Sequence, residues 1–447
     1  MTDWNKYKFS EFLTRVKLPI TIQDNKQYKR VTIRTKHGGV SVRDHEIGSK
    51  IGTKKQFILK EGLFVMSKID ARYGAFGVAS SEVNDAIITG NFWAYKINED
   101  IISIDWLNNF TNSLIFYDIC ERSSSGITHR KYLNEKDFLN NEIWLPPVRE
   151  QDKIIDSFRE RSNHVNSLSR ELAHQQALVK KLRQQILQEA IAGKLTAEWR
   201  SHNPHIEPAS ELLKRIAAEK AELVKAKKIK PQKPLPPITD EEKPFELPKG
   251  WEWCRLGDLC IKITDGFHNT PPKVASGYPY IAATHVKPDK IDWNACHYVS
   301  EEFHKELYSK AYPKKGEILL VNIGAGCGTP AIINVDFEFS FKNTAILKFN
   351  QDFLFNKYIF NYFVLHRDEI YKDLTKGGLQ PFLSLKILNT IIIPIPSFSE
   401  QQAIVAKIEK LLTLCDQLET QITQNQTHAQ QLMQAVLKEA FNLTPSD

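Results

Sequence analysis

Two groups of residues have side chains that could support chemistry, but neither has the spacing that a known site requires. The segment Gly324-Ala325-Gly326-Cys327-Gly328 resembles a dinucleotide-binding turn, yet Thr329-Pro330 stands where such a turn needs another glycine and a helix. His285, Cys296 and His297 carry metal-binding atoms, but their spacing matches no common metal site. We interpret the first group as a tight turn and the second as structural or surface residues.

The motifs of several enzyme classes are also missing from the sequence. It contains no G-x-x-x-x-G-K-[ST] phosphate loop, no H-E-x-x-H and no G-x-S-x-G. The Pro-Pro pairs at 146–147, 236–237 and 271–272 lack the flanking Asn or Asp and aromatic residue of the adenine-methyltransferase amine clamp. No cluster of catalytic carboxylates appears. We therefore expect a chain that catalyses nothing and binds no cofactor or metal.

Composition predicts a folded protein of several domains. The chain has 447 residues, of which 42% are hydrophobic and 25% charged, and its net charge is +7. This length suggests two to four domains, and the apolar content excludes wholesale disorder. The mild basic bias permits a polyanionic partner without requiring one.

Cysteine usage and the terminal sequence indicate where the protein resides. The six cysteines form no C-x-x-C pair, which argues against a zinc site or a disulfide framework and favours a reducing compartment. The first residues lack the apolar run of a signal peptide. Apolar stretches such as Ile391-Ile392-Ile393-Pro394-Ile395 are too short to span a bilayer. We expect a cytoplasmic protein.

The chain contains an internal repeat. Leu145-Pro146-Pro147-Val148-Arg149-Glu150-Gln151 corresponds to Ile395-Pro396-Ser397-Phe398-Ser399-Glu400-Gln401, and the same offset continues without a gap for some 45 residues. Both copies have the seven-residue apolar period of a coiled-coil helix, and Glu150 and Glu400 fall in the first turn, near the positive end of the helix dipole. Two such helices in one chain most simply pack on each other.

Two heptad positions form the predicted seam. One holds Phe158, Val165, Leu172, Val179 and Ile186, then Ile408, Cys415, Ile422, Ala429 and Val436. The other holds Ile154, Arg161, Leu168, Gln175 and Leu182, then Ile404, Leu411, Leu418, Asn425 and Leu432. Gln175 and Asn425 are equivalent polar residues near the middle of each helix. They either disfavour slipped registers or are simply tolerated.

The segments before the two helices also resemble each other. Each has a turn and a buried strand pattern, at 60–69 and 315–323, followed by glycine-rich chain, a further strand and a helical stretch. We predict two similar α+β domains joined by two long antiparallel coiled-coil helices. The predicted limits are 1–148 and 247–396 for the domains, 149–200 and 397–442 for the helices, and 201–246 for a linker. This linker has a short basic helix, from 210 to about 228, and a proline-rich, semi-extended spacer whose lysines either contact phosphate or are only solvated.

Several motifs together resemble the specificity subunits of Type I restriction-modification systems over nearly the whole chain. They are Pro146-Pro147-x-x-Glu150-Gln151, Ala190-Ile191-Ala192-Gly193-Lys194-Leu195-Thr196-Ala197-Glu198-Trp199-Arg200, Leu247-Pro248-Lys249-Gly250-Trp251, Thr264-Asp265-Gly266-Phe267-His268-Asn269-Thr270-Pro271, Ile395-Pro396-x-x-x-Glu400-Gln401, and the segments 31–44 and 67–77. Two departures are visible. The second helix ends at Phe441-Asn442-Leu443 without the Gly-Lys-Leu-Thr extension, and the first domain lacks the Leu-Pro-x-Gly-Trp opening.

The resemblance implies a non-catalytic subunit in which each domain recognises one half of a split, asymmetric sequence in double-stranded DNA. The two helices would set the spacer between the halves and dock two methyltransferase subunits. Those partners would use S-adenosylmethionine to methylate adenine. Endonuclease subunits that use ATP and Mg would join them.

Basic and amide side chains in loops and glycine-rich turns are the candidates for DNA contact. Arg and Lys suit guanine and phosphate, whereas Asn and Gln suit adenine. The first domain offers Arg30, Arg34, Lys36, Arg43, Lys68, Arg72, Arg122 and Arg130. The second offers Lys262, His268, Asn269, Thr270, Lys273, His285, Lys287, Asn322, Lys342, Asn343, Lys376 and Gln380.

Two other hypotheses remain open at this stage. A coiled-coil scaffold for other proteins would bind its partners independently of salt, whereas DNA affinity should fall steeply with salt. An autonomous DNA-modifying enzyme would act as a single purified chain, but it would need the motifs that are missing.

Overall fold

The computed structural model describes residues 4–126, 131–267, 271–288, 290–375 and 381–441. Contacts divide the chain into two units, one of Met1–Gln175 with Gln421–Asp447 and one of Gln176–Thr420. Each unit contains one α+β domain and part of both long helices. The domain limits predicted from the sequence therefore stay a prediction, because this division runs through the helices. Among the described residues, no helix is both long and apolar enough to cross a membrane.

The domain of the first unit is mostly antiparallel. Its strands are β1 (Asn5–Lys8), β2 (Leu13–Val16), β3 (Pro19–Thr21), β4 (Gln27–Ile33), β5 (Val40–Ile47), β6 (Lys55–Leu59), β7 (Phe64–Ser67), β8 (Phe76–Val78), β9 (Ala86–Ile88), β10 (Phe92–Ile97), β11 (Ser124–Ser125), β12 (Tyr132–Leu133) and β13 (Glu142–Leu145). Its helices are α1 (Phe9–Phe12), α2 (Ile104–Phe110), α3 (Leu114–Arg122) and α4 (Glu135–Leu139). Sheets of order β2-β10-β7-β8 and β3-β6-β9-β4-β5 are accompanied by the two-stranded pairs β1-β13 and β11-β12.

Aromatic side chains fill the core of this domain. Phe116 of α3 lies against Phe9, Phe76 and Phe110, with ring centroids 4.8–6.0 Å apart. Helix α3 begins where it does because Ser113 accepts a hydrogen bond from the Phe116 amide. Aromatic burial of this kind supplies much of the stability of a domain.

The long helix α5 (Val148–Ile191) follows directly, and two shorter helices, α6 (Ala197–His202) and α7 (Ala209–Lys225), lie in the linker. Helix α5 ends before residue 200 because Gly193 adopts a left-handed φ of 72°, which closes the helix. The linker also differs from a free spacer. Ala209, Leu212 and Ile216 of α7 are buried in the core of the second unit.

The domain of the second unit has nine strands within its described residues. They are β14 (Glu252–Arg255), β15 (Lys262–Asp265), β16 (Tyr278–Ala282), β17 (His297–Val299), β18 (Ile318–Val321), β19 (Pro330–Ile332), β20 (Ser340–Lys342), β21 (Thr344–Lys348) and β22 (Ile392–Ile395). The helices are α8 (Leu256–Leu259), α9 (Glu301–Ala311), α10 (Asn356–Glu369), α11 (Leu385–Thr390) and the long α12 (Phe398–Ala440).

The two domains repeat one plan, which confirms the predicted α+β repeat. The order β2-β10-β7-β8 in the first matches β15-β21-β18-β19 in the second, and the pair β1-β13 matches β14-β22. Trp4 precedes β1 as Trp251 precedes β14, so the first domain keeps the tryptophan of its opening without the rest of the motif. The domains differ in the added sheet, which is β3-β6-β9-β4-β5 in one and β17-β16-β20 in the other.

The long helices run antiparallel within each unit, as predicted. In the first unit, Phe158 lies against Phe441, with ring centroids 5.6 Å apart, and Ser162 hydrogen-bonds to Met433. In the second unit, Arg183 donates to both carboxylate oxygens of Glu419, at 3.1 and 3.0 Å, and also pairs with Asp416.

The two predicted heptad rows differ in burial. The row containing Phe158, Val165 and Ile408 is buried throughout both helices. In the other row, Ile404 is buried and Ile154 and Leu411 are half-buried, whereas four leucines are 42–49% exposed: Leu168, Leu182, Leu418 and Leu432. This second row also carries Arg161, Gln175 and Asn425. The row that contains Phe158 therefore forms the centre of the contact between the two long helices. The second row, which is interrupted by polar residues, lies at the edge of that contact.

Neither polar seam residue bonds across the helix pair in the described contacts. Gln175 donates to Glu171, and Asn425 accepts from Gln421, each within its own helix. This arrangement favours a tolerated polar residue over a register device.

Candidate nucleic-acid interface

In the first domain, the turn between β4 and β5 contacts a second, glycine-containing turn. The amides of Lys36 and His37 donate to the carbonyls of Tyr73 and Gly74, at 2.6 and 3.0 Å. Lys36 and His37 have left-handed φ angles of 58° and 54°, which make this close approach possible. The contact brings Arg34 and Lys36 beside the segment that carries Lys68 and Arg72.

His37 and Gly74 fix the position of the turn between β4 and β5. The imidazole of His37 lies edge-on to Phe76 and hydrogen-bonds to Thr111 at 2.9 Å. Burial lowers the pKa of His37, so the neutral ring is favoured. Gly74 has a φ of 84°, and a Cβ there would lie only 2.2 Å from the hydroxyl of Tyr117.

Two exposed tyrosines lie among these basic side chains. The ammonium of Lys68 is 5.5 Å from the ring centre of Tyr132, and the guanidinium of Arg72 is 4.5 Å from that of Tyr73. Tyr132 is held nearby because the Leu133 amide donates to the Lys68 carbonyl at 2.9 Å. Exposed aromatic rings interleaved with cations are typical of surfaces that contact nucleic acids.

The end of helix α3 and the residue before strand β12 add two further cations. Arg122 pairs with Asp118 at 2.9 Å, and Lys131 pairs with Glu121 at 2.5 Å. Sequence reasoning missed Lys131, although it lies next to the predicted Arg130, which is outside the described residues. We call the following set the first basic surface: Arg34, Lys36, Lys68, Arg72, Arg122 and Lys131.

Arg30 and Arg43, also predicted, lie on strands β4 and β5 rather than in the turns. Arg30 donates two hydrogen bonds to Asp44, at 2.5 and 2.8 Å, and Arg43 donates to the same carboxylate at 3.1 Å. This pairing raises the pKa of Arg30 and lowers that of Asp44. The Arg30 side chain is held by two hydrogen bonds and is only 23% exposed, whereas that of Arg122 is 65% exposed beside its acid, so Arg30 is the less available of the two for contact with a base.

The second domain gathers a different cluster, around two histidines. The ring of His285 lies 5.7 Å from that of His297, with the planes perpendicular. Partial burial lowers the pKa of His297, and the nearby charges of Lys273, His285 and Lys342 lower it further. The sheet β17-β16-β20 brings these residues together, since His297 begins β17 and Lys342 ends β20. We call His297, Lys273 and Lys342 the second basic surface.

Other predicted residues of the second domain are placed differently. Asn322 is 1% exposed and His285 is 7% exposed, so both lie beneath the surface, where direct contact with DNA would require movement. Lys262 donates to the carbonyl of Lys310 at 2.8 Å. Lys287 is exposed, and Asn343 takes a left-handed φ of 57°, which suits an Asn in a tight turn.

Five predicted contacts fall outside the described residues, in addition to Arg130. They are His268, Asn269, Thr270, Lys376 and Gln380.

A buried carboxylate joins α12 to motifs on either side of the linker. Glu400 accepts hydrogen bonds from Thr196 at 2.7 Å, from Arg200 at 2.5 Å and from the indole of Trp251 at 2.9 Å. These donors belong to the motifs at 190–200 and 247–251. Their function here is to hold the start of the second domain against the start of α12.

No group of three or more His, Cys, Asp or Glu side chains in the described part of the chain is placed to hold an ion. The pair of His285 and His297 is accompanied by Lys273 and Lys342, whose positive charges repel cations and attract anions.

Each of the two α+β domains carries a cluster of basic residues and is followed by a long helix. Residues 248–426 match the model of the Type I restriction modification DNA specificity domain. The chain is 29% identical over 370 residues to the specificity subunit of the Escherichia coli Type I restriction enzyme EcoAI, covering 71% of this chain and 61% of that one. It is 31% identical over 289 residues to the EcoEI specificity subunit of Escherichia coli, covering 60% of this chain and 46% of that one.

The fold agrees with these relatives. A solved chain of a type I R-M system, studied for complex assembly and conformational transition, has a TM-score of 0.70 at 17% identity, covering 98% of this chain and 97% of that one. The resemblance to Type I restriction enzyme specificity subunits seen in the sequence motifs is thus confirmed. The chain spans 61% and 46% of the EcoAI and EcoEI subunits.

Proposed function

We propose that this chain is the DNA-specificity subunit of a Type I restriction-modification complex. Each α+β domain binds one half of a bipartite, asymmetric target in double-stranded DNA. The observation that carries the proposal is the pair of basic surfaces, which lie on two domains that share one four-stranded sheet order but are made of different residues. Phosphate contacts position such a protein, while side chains at base edges select the sequence, so different residues select different half-sites.

The long helices are proposed to set the spacer and to dock two methyltransferase subunits. The support is the exposure of Leu168, Leu182, Leu418 and Leu432, because apolar side chains left exposed along a helix pair are typical of a protein interface. In this proposal the methyltransferase subunits bind S-adenosylmethionine, the endonuclease subunits bind ATP and Mg, and this chain contributes recognition alone.

Exchange of one domain tests the proposal. Residues 1–148 are replaced by the corresponding domain of a related specificity subunit, and methylated adenines are mapped across the genome of cells that express the chimera with its partner subunits. We expect one half of the split motif to change while the other half and the spacer length are retained. The matched control is the unmodified chain, and cells without the chain should show no such motif.

Two outcomes would contradict the proposal. The methylated sequence could stay unchanged after the exchange, or both halves could change together. A scaffold without DNA specificity would give the first outcome.

A further inference from the structure

The linker between the two repeats is a fixed part of the second unit. The buried guanidinium of Arg255 donates to the carbonyls of Pro236 and Pro237, at 2.8 and 3.1 Å. It also pairs with Glu242 through two hydrogen bonds of 2.9 Å. A buried guanidinium binds its acceptors strongly. If an acceptor were lost, part of the buried positive charge would have no hydrogen-bond partner, and the free energy of removing that charge from water would not be offset. These hydrogen bonds therefore fix the proline-rich segment to the second domain.

The other end of this segment is held as well. The ammonium of Lys220 donates to the carbonyl of Gly257 at 2.7 Å, and Gln232 donates to the side chain of Asn389 at 3.1 Å. Residues 225–233 are thus confined between two anchored points. Side chains on a confined segment lose less conformational freedom on binding than those on a free tether.

Helix α7 ends in a turn that places a lysine where glycine is usual. The amide of Lys227 donates to Val224 and that of Lys228 donates to Leu223, both at 2.9 Å, and Lys227 takes a left-handed φ of 60°. Most helices with this ending use glycine at that position because other residues are strained there. Lys227 therefore stands at a position where a residue other than glycine is strained, and strained positions are often found at binding sites.

These lysines line a groove of about 930 Å³. The lining includes Lys227, Lys228 and Lys230, together with Lys262 at the start of β15. Among the described residues, the only ion pair found for the five lysines between 225 and 233 joins Lys225 to Glu222, at 3.9 Å. The groove is therefore strongly positive and not neutralised by its own chain.

We propose that this lysine groove binds phosphates of the DNA backbone, independently of sequence. The inference rests on the proposed function, since it takes DNA as the partner. Strand β15 runs from Lys262 to the loop that begins at Gly266, and four strand residues span about 10–13 Å.

The test measures how DNA affinity depends on salt. In the full chain, the four lysines that line the groove, Lys227, Lys228, Lys230 and Lys262, are changed together to Gln. Affinity is then measured against salt concentration for a duplex of arbitrary sequence and for one that carries the mapped methylation motif. We expect the slope of log affinity against log salt to fall by about two to four on both duplexes, since each phosphate contact contributes about 0.9. The preference for the motif should be unchanged.

Two further variants make the result interpretable. Changing the exposed Lys153, Lys180, Lys407 and Lys410 to Gln removes the same charge from the long helices and should alter the slope by less than about one. Changing the four groove lysines to Arg keeps their charge and should preserve the wild-type slope.

Three outcomes overturn the inference. An unchanged slope in the groove variant shows that the lysines do not contact DNA, and an equal fall in both Gln variants shows only a net-charge effect. Loss of methyltransferase binding at an unchanged slope would identify an acidic protein surface as the partner. If the unmodified chain bound no DNA in a salt-dependent way, the proposed function itself would fail.

Discussion

At the scale of single residues, Glu400 shows both what the sequence predicted and what it did not. Its position in the first turn of a helix was predictable, because a carboxylate there is favoured by the helix dipole. The three donors that meet it, on Thr196, Arg200 and Trp251, come from segments distant in sequence. No periodicity places them together. For the same reason, the burial of Asn322 was not predictable from its place in a glycine-rich loop.

Removing the charge of Glu400 should destabilise the second unit. In Glu400→Gln, the largely buried Arg200 loses its anionic partner, and we expect the free energy of unfolding to fall by about 2–4 kcal/mol. Urea denaturation followed by circular dichroism measures the change. Glu409→Gln is the control, because Glu409 pairs with Lys357 at the surface and should cost roughly 0–1 kcal/mol. If the free energy of unfolding fell equally in the two variants, the buried hydrogen-bonded cluster around Glu400 would stabilise the unit no more than a surface ion pair does.

At the scale of elements, the sequence predicted the repeat better than the sheets. The buried patterns at 60–69 and 315–323 correspond to β7 and β18, which occupy the same place in matching sheets. The added sheets were not predictable, because they depend on pairings between distant segments, such as the parallel pairing of β16 with β20. The half-exposed leucine row was also missed, since a heptad pattern does not say which of two rows lies at the centre of the contact.

The contact between the two turns of the first domain should depend on Gly74. In Gly74→Ala, the new methyl group meets Tyr117 and the His37 amide at 2.2 and 2.8 Å, so the β4–β5 turn must move. We expect faster hydrogen exchange in residues 34–39 and weaker binding to a duplex that carries the methylated motif.

The control is Gly62→Ala, at a similar φ of 77° but with no atom within 4 Å of the new Cβ. It should cost about 1 kcal/mol in backbone strain and leave DNA affinity unchanged. If both variants bound DNA like the unmodified chain, the turn contact would not matter for recognition.

At the scale of the whole molecule, the motifs predicted the family and the two-domain plan, because those features depend on local patterns and on repetition. The linker was predicted less well. Four prolines in seven residues correctly excluded helix, but a sequence pattern does not show that Arg255 holds two of their carbonyls.

The exposed leucine row should serve assembly rather than stability. Changing Leu168, Leu182, Leu418 and Leu432 to Gln should alter the free energy of unfolding by less than about 2 kcal/mol in total, since each is already 42–49% exposed. Co-purification of the methyltransferase subunits with the chain should be lost. The matched control changes Lys153, Lys180, Lys407 and Lys410 to Gln on the same helices. Retained co-purification in the leucine variant would place the docking surface elsewhere.

The anchoring of the proline-rich segment has a consequence for how such chains can be shuffled. If two such chains recombined near residue 246, Arg255 would come from one parent and its acceptors at 236, 237 and 242 would be replaced by residues of the other. The hybrid would then contain a buried guanidinium without its acceptors. A joint near residue 205 would keep the proline-rich segment and the second domain, which binds it through Arg255, in the same parent sequence. Natural recombinants of such chains should therefore have their joints upstream of α7, so that the second domain is inherited together with the proline-rich segment.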